Sequence, residues 1–194
     1  MDWQEANKWE ANWWGDCVHT AYEEIKQTTY ARLMGLDLDR GNLDGKSVLD
    51  IGGGPVSLLL KFKNKGACVV VDPLPVPGWV ITRYQEHNIE YANKKAEDYD
   101  PGPERVFDEC WMYNCLQHVD DPFTIVKTMR KASRLIRVFE WVDMPISPGH
   151  IHTLREPILN MWLKGDGKPE FINENGCVGR CYYGIFKGDH YGEP

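Results

Sequence analysis

The chain has 194 residues, 42% of them hydrophobic and 26% charged, and its 22 basic residues face 29 acidic ones for a formal net charge of -7. A chain of this length and composition buries roughly 70% of its unfolded surface, which excludes a disordered tail, a collagen-like chain and a mini-protein dependent on staples. The acidic balance argues against broad electrostatic binding to nucleic acid, which needs a basic face, and no apolar run approaches the roughly 20 residues that span a bilayer.

The start, Met1-Asp2-Trp3-Gln4-Glu5, is polar and acidic, unlike a signal peptide, so a cytoplasmic protein is expected. Trp3, Trp9, Trp13 and Trp14 crowd the first residues and mark a lid, a partner surface or a core anchor. Val18, Tyr22, Ile25, Thr29 and Leu33 then recur at three- and four-residue steps and predict a helix that stops at Gly35. Residues 42–46 are rich in Asn, Asp and Gly and read as a turn. Residues 47–51 predict a short buried strand, broken by Gly52-Gly53-Gly54-Pro55. A helix is expected to open across Val56 to Lys61 and to end at Gly66. Residues 67–71 predict a second buried strand ending in Asp72. Strand, glycine-rich turn, helix and strand make a right-handed βαβ unit.

Pro73, Pro75 and Pro77 predict a stiff loop. A helix over 79–87, a weak strand over 89–92 and a fourth strand over 106–113 follow. Asp121-Pro122 is an N-cap with proline at the first helical position, and Ile125, Val126, Met129 and Ala132 form that helix's buried stripe. Residues 135–142 predict a fifth strand. Thr153-x-x-Glu156 has capping-box spacing, although Pro157 offers a second start for a helix running to about Lys164. Residues 171–173 and 181–186 read as a terminal hairpin. The alternation argues for an α/β fold with a mostly parallel sheet. Of the six cysteines none forms a Cys-x-x-Cys pair; Cys68 and Cys110 sit in apolar strands as small hydrophobes, and Cys177 and Cys181 are close enough in sequence to meet.

Open α/β sheets bind ligands at the carboxyl ends of their strands. Four features fall there. The first is the turn Asp50-Ile51-Gly52-Gly53-Gly54-Pro55, where glycine allows close approach of backbone to a ligand, although a tight turn without a ligand would look the same. The second is Asp72, 22 residues after Asp50, an acid that can accept from both hydroxyls of a ribose or can be an ordinary loop carboxylate. The third is Ala96-Glu97-Asp98, an acidic step that could accept from the exocyclic amine of adenine or could simply be solvated. The fourth is the run from Phe107 to Pro122, which leaves the fourth strand and enters a helix.

In this order and spacing the motifs resemble the class I S-adenosylmethionine-dependent methyltransferases of small-molecule type, over about residues 47–141. Val-Leu-Asp-Ile-Gly-Gly-Gly-Pro at 48–55 resembles the family's first motif, with Val56 where a further glycine often stands. Phe107-Asp108, then Asn114 and Leu116-Gln117-His118-Val119-x-x-Pro122, is similar to the fourth-strand motif. The resemblance implies a Rossmann-like open sheet of about seven strands, mostly parallel with a C-terminal antiparallel hairpin and helices on both faces. It implies one methyltransferase domain over 1–194, with a helical cap at 1–40 and the core at 41–194. It implies S-adenosylmethionine as cofactor, S-adenosylhomocysteine as product, and Asp50, Gly52, Gly53, Gly54, Asp72, Pro73, Ala96, Glu97, Asp98, Met112, Tyr113 and Asn114 as the cofactor site.

His118 is the candidate general base, because imidazole titrates near neutral pH; packing at a helix start is its other reading. Trp13, Trp14, Tyr22, Gln117, Glu140, Trp141, His150 and His152 are the candidate substrate contacts. His150 and His152 stand at i and i+2 with no obvious third metal ligand, so no metal site is assigned. The expected partner is a small molecule that accepts the methyl on O or N, and the expected state a monomer or homodimer. Against a nucleic-acid methyltransferase, the fourth strand runs into Tyr113-Asn114-Cys115 without paired prolines, and the chain has no Pro-Cys dipeptide. A protein substrate, or a cofactor-binding protein without transfer activity, stays open. Against a nicotinamide dinucleotide, Ser57 stands where the third glycine of Gly-x-Gly-x-x-Gly belongs.

Overall fold

The structure is a computed structural model that describes residues 2–15, 17, 19–102 and 105–192. Seven strands form one sheet: β1 (Val48–Ile51), β2 (Cys68–Asp72), β3 (Ile89–Asn93), β4 (Phe107–Tyr113), β5 (Ser133–Trp141), β6 (Lys168–Glu174) and β7 (Cys177–Lys187). Their order is β3-β2-β1-β4-β5-β7-β6. The first five pair in parallel, while β7 runs antiparallel to both β5 and β6. The expected mostly parallel sheet with a C-terminal antiparallel hairpin is therefore present.

The central strands are apolar on both faces because helices cover both. Leu49, Ile51, Val69 and Val71 join the core cluster that includes Ile125, Met129, Leu159 and Leu163, beneath α4 (Pro122–Ala132) and α5 (Glu156–Leu163). Val48, Val70, Trp111 and Phe139 point the other way, into the cluster with Tyr30, Ala31, Val80 and Tyr84 of α2 (Thr20–Leu33) and α3 (Gly78–Glu86). The α4 start is as expected: Asp121 Oδ1 accepts from the Phe123 and Thr124 amides, and Pro122 opens the helix. Ahead of these lies α1 (Trp3–Trp14), whose N-cap Asp2 and Glu5 form a reciprocal capping box.

Three local expectations are corrected. The helix expected to open across Val56 to Lys61 is a single 3-10 turn, Leu58–Lys61. In the 16 residues between β1 and β2, backbone groups of Gly54, Ser57 and Leu58 bond to the Tyr84 and Tyr113 hydroxyls and not to a helical ladder. The Thr153 capping box does not form: α5 has Arg155 as N-cap with no side-chain bond, and Thr153 Oγ1 donates to the Met144 carbonyl instead. The stripe of α2 includes its buried Thr29 and Leu33, but Tyr22 and Ile25 are exposed, and Val18 lies outside the described residues.

Strand β1 lies between β2 and β4, and the sheet order reverses there. This is the switch point at which open α/β sheets leave a crevice beyond their strand ends.

Candidate functional site

A cavity of about 370 Å³ opens beyond the carboxyl ends of β1, β2 and β4. Its floor is the turn after β1. Gly54 has φ +56°, in the left-handed region that favours glycine, and Gly52 has φ +76°. A Cβ on Gly52 would lie 2.0 Å from the Cys115 sulfur, so glycine is also needed for the β4 loop to pack against the turn.

The segment that replaces the missing helix is held by side chains from elsewhere in the fold. The Tyr84 hydroxyl donates to the Gly54 carbonyl at 2.7 Å and accepts from the Ser57 amide at 2.9 Å. Arg83 donates to the Pro55 carbonyl and Gln27 to the Val56 carbonyl. The Tyr113 hydroxyl accepts from the Leu58 amide at 3.0 Å and donates to Asp50 Oδ2. Asp50 also accepts from Ser57 Oγ. Asp50 is thus buried beneath the turn as its anchor and does not line the cavity. Burial pushes its carboxyl up to about 7, against the lowering effect of the Ser57 and Tyr113 hydroxyls.

Asp72 does line the cavity, at the end of β2. Its Oδ2 accepts from the Gly54 amide at 2.9 Å and its Oδ1 from the Leu74 amide at 2.8 Å. Burial raises it to about 6, offset in part by those two amides. Each carboxylate oxygen keeps a second lone pair for a ligand hydroxyl. Pro73, Leu74, Ala96, Glu97 and Val119 continue the wall, a mostly apolar slot with Glu97 at its edge. Glu97 Oε1 already accepts from the Asp120 and Asp121 amides. Asp98 is exposed and outside the cavity, and Met112 is a core residue of β4. Tyr113 and Asn114 line the cavity; Asn114 has φ +53° and donates its amide to the Phe139 carbonyl.

His118 also lines the cavity. Its Nδ1 lies 2.9 Å from the Gly149 carbonyl and 3.1 Å from Glu10 Oε1. Burial lowers its pKa, but the hydrogen bond and charge of Glu10, with the charge of Glu140 and the Gly149 carbonyl, bring the net shift upward. His150 stacks edge-on against it at 4.6 Å between ring centroids. Burial and the His118 charge pull His150 down to about 4.

Of the expected substrate contacts, Trp13, Trp14, Trp141 and His150 line the cavity. The other four do not. Glu140 is fully buried behind the wall, where its carboxylate accepts from the Cys115 and Leu116 amides and fixes the loop after β4. Gln117 is buried and donates to Asn114 Oδ1. Tyr22 is exposed, with its ring against Gly176. His152 faces a separate hollow beside α4 and α5, its Nε2 against the Val119 carbonyl. Among the described residues no group of three or more His, Cys, Asp or Glu side chains is placed to hold a metal ion.

The structure adds residues the motifs did not single out. Trp3, Asn7 and Glu10 of α1 line the cavity together with the expected Trp14, and the spacing of four, three and four places all of them on one helical face. Lys95 Nζ sits 3.4 Å from the centre of the Trp3 ring. Gln27 and Tyr30 of α2 close the side over the turn. The α1 stripe was readable as a spacing in the sequence; the reach of Gln27 to Val56 was not.

No family model matches the chain. Among curated proteins it is 32% identical over 135 residues to a ubiquinone biosynthesis O-methyltransferase of Acinetobacter baumannii, covering 66% of this chain and 56% of that protein. A protein of the same description from Thiobacillus denitrificans is 28% identical over 134 residues, with 67% and 55% covered. The chain thus spans about half the length of the curated relatives it matches. Among solved structures it superposes on the N-methyltransferase NodS of Bradyrhizobium japonicum, in complex with S-adenosylhomocysteine, with a TM-score of 0.62 at 16% identity, covering 85% of this chain and 88% of that one. Magnesium protoporphyrin IX methyltransferase of Synechocystis, with bound S-adenosylmethionine, gives 0.60 at 14% identity, with 87% and 80% covered. In sheet order and in the turn after β1 the chain has the Rossmann-like fold of these methyltransferases, and its matched sequence is similar to that of the O-methyltransferases.

Proposed function

We propose that the protein is an enzyme that transfers a methyl group from S-adenosylmethionine to an oxygen or nitrogen of a small molecule. The observation that carries this reading is the pairing of Asp72 with the Gly54 amide at the floor of the cavity. That pairing sets a ribose-accepting carboxylate beside a glycine turn open to the remainder of the cofactor. The volume is in the range of a small-ligand site, and the spare lone pairs of Asp72 fit two hydroxyls.

In this reading Asp72 holds the ribose, with Pro73, Ala96 and Glu97 along the adenine slot and Gly52, Gly54, Tyr113 and Asn114 along the amino-acid end. S-adenosylmethionine, when bound, would supply an electrophilic sulfonium methyl with a neutral thioether as leaving group. The protein's own part is to orient the acceptor and exclude water. His118 Nε2 takes the proton that a hydroxyl acceptor gives up. Trp13, Trp14 and Trp141 offer flat apolar faces to a planar acceptor, and a cationic acceptor would gain from the same rings.

The names of the curated relatives support an O-methyl acceptor, and the N-methyltransferase neighbour keeps nitrogen in view. We further propose that residues 1–194 act as one methyltransferase domain with residues 1–40 as its cap, in the cytoplasm, as a monomer or homodimer. No helix among the described residues is long and apolar enough to cross a membrane.

The test is formation of S-adenosylhomocysteine from S-adenosylmethionine across a panel of phenols, catechols and amines. Turnover with a panel member supports the proposal. Turnover only with a protein or nucleic-acid acceptor overturns the small-molecule reading. Cofactor binding with no turnover on any acceptor favours a binding protein.

A further inference from the structure

The motifs that single out His118 leave its partner unassigned, and that partner comes from α1. Both groups against His118 Nδ1 are acceptors: the Gly149 carbonyl at 2.9 Å and Glu10 Oε1 at 3.1 Å. A nitrogen facing two acceptors must carry the hydrogen, so neutral His118 has its proton on Nδ1 and its lone pair on Nε2. Among the described residues the hydrogen-bond contact of Nε2 is Gln117 Nε2 at 3.4 Å, which leaves it available to a stronger donor.

Glu10 reaches this position only because α1 lies across the cavity. Ala6 is the buried residue of that helix. It is fastened at one end by Trp3 against Lys95 and in the middle by Glu10 against His118, with Trp9 lying against Gly149. Its C-terminal connection turns on Gly15, at φ +48° and ψ −128°, and on Cys17, at φ +66°. The Glu10 contact is well shielded: the side chains of His118 and Glu10 are 16% and 17% exposed.

We propose that Glu10 is a positioning residue, which fixes the Nδ1–H form of His118 and strengthens Nε2 as a proton acceptor only while α1 covers the cavity. This rests on the methyl-transfer reading above and deepens it. It assigns the acceptor to groups that lose a proton during transfer, such as a hydroxyl, and ties deprotonation to closure over the substrate. The proton moves from the acceptor to Nε2, and the Glu10 carboxylate balances the imidazolium that results. The titratable groups facing His118 are Glu10 from α1, Glu140 from β5, Asp72 from β2 and His150 from the loop before α5.

The test is imidazole ¹⁵N NMR of the full chain against pH, with His118 assigned from the resonance lost in His118→Gln. Calorimetry with S-adenosylhomocysteine is run on the same samples. Glu10→Gln keeps an acceptor oxygen and removes the charge. It is expected to lower the His118 midpoint by about one pH unit or more, the size of shift a close opposite charge produces. Lys95→Ala loosens the far end of α1 without touching the pair, and is expected to move the midpoint the same way by less. A midpoint unchanged in Glu10→Gln, in protein that binds S-adenosylhomocysteine, overturns the role of Glu10 and leaves the methyltransferase reading standing. A wild-type His118 with its proton on Nε2 also overturns it. Failure of the wild type to bind S-adenosylhomocysteine removes the methyl-transfer reading, and the catalytic role of the pair with it.

Discussion

The hydroxyl of Tyr113, the last residue of β4, donates to Asp50 Oδ2 in β1 at 2.9 Å while accepting from the Leu58 amide. One buried oxygen thereby ties two neighbouring strands to the loop under the cavity. Because Asp50 is wholly buried, the fold favours its neutral form, at about 7 against an unfolded value of about 3.9. Between about pH 4 and about pH 7 the folded state therefore holds more protons than the unfolded state, and stability falls as pH rises through that window. Asp50→Asn is expected to flatten this fall, read by urea unfolding at several pH values. Asp72 and Glu140 are raised in the same direction, so part of the slope remains. An unaltered slope in Asp50→Asn contradicts the assignment.

The opposite sign is expected at Glu109. Burial pushes this carboxyl up, but the bonds and charge of Arg137, with bonds from Lys46 and Trp111, hold it down at about 2. The stability it contributes is present above its unfolded value of about 4.3 and is lost as pH falls toward about 2. Arg137→Ala leaves a buried carboxylate with Lys46 as its remaining cation among the described residues and is expected to cost about 3 kcal/mol near neutral pH. The gap between variant and wild type should narrow in acid, and denaturant titration reads both.

Tyr84→Phe keeps the ring stacked on Tyr91 and removes only the hydroxyl that bridges Gly54 and Ser57. Two buried backbone groups lose their partner, at an expected cost of about 1–3 kcal/mol. A smaller change would mean that the loop does not depend on this bridge.

Gly52→Ala places a methyl group on the Cys115 sulfur and is expected to destabilise strongly. Cys115→Gly removes the obstacle, so the pair should couple by about 1–3 kcal/mol in a double-mutant cycle. Simple additivity would contradict the close approach of the two loops.

These residues also mark what the sequence can reveal. The apolar runs of β1 and β2, and the Asp121-Pro122 start of α4, announce themselves locally, so the opening parallel unit and the mostly parallel sheet follow from pattern and connection rules. The glycine turn and Asp72 are legible because their spacing serves one geometric purpose. The loop at 54–58 is not, because Gln27, Arg83, Tyr84 and Tyr113 reach it from distant positions and carry no local signal. Glu140 misled for a related reason: a carboxylate at a strand end looks like a ligand contact, and only the fold shows it bonded to the Cys115 and Leu116 amides. Glu10 lies in a polar helix, where its partner 108 positions later is visible only in three dimensions.

The most direct test of the account is calorimetric titration of the purified chain with S-adenosylmethionine and S-adenosylhomocysteine, with Asp72→Ala alongside. The account predicts binding of both ligands by the wild type. It predicts at least a tenfold loss in the variant, since a hydrogen bond to a charged group is worth about 1.5–3 kcal/mol, with circular dichroism confirming that the variant stays folded. Absence of binding by the wild type, or equal affinity in folded Asp72→Ala, would contradict it.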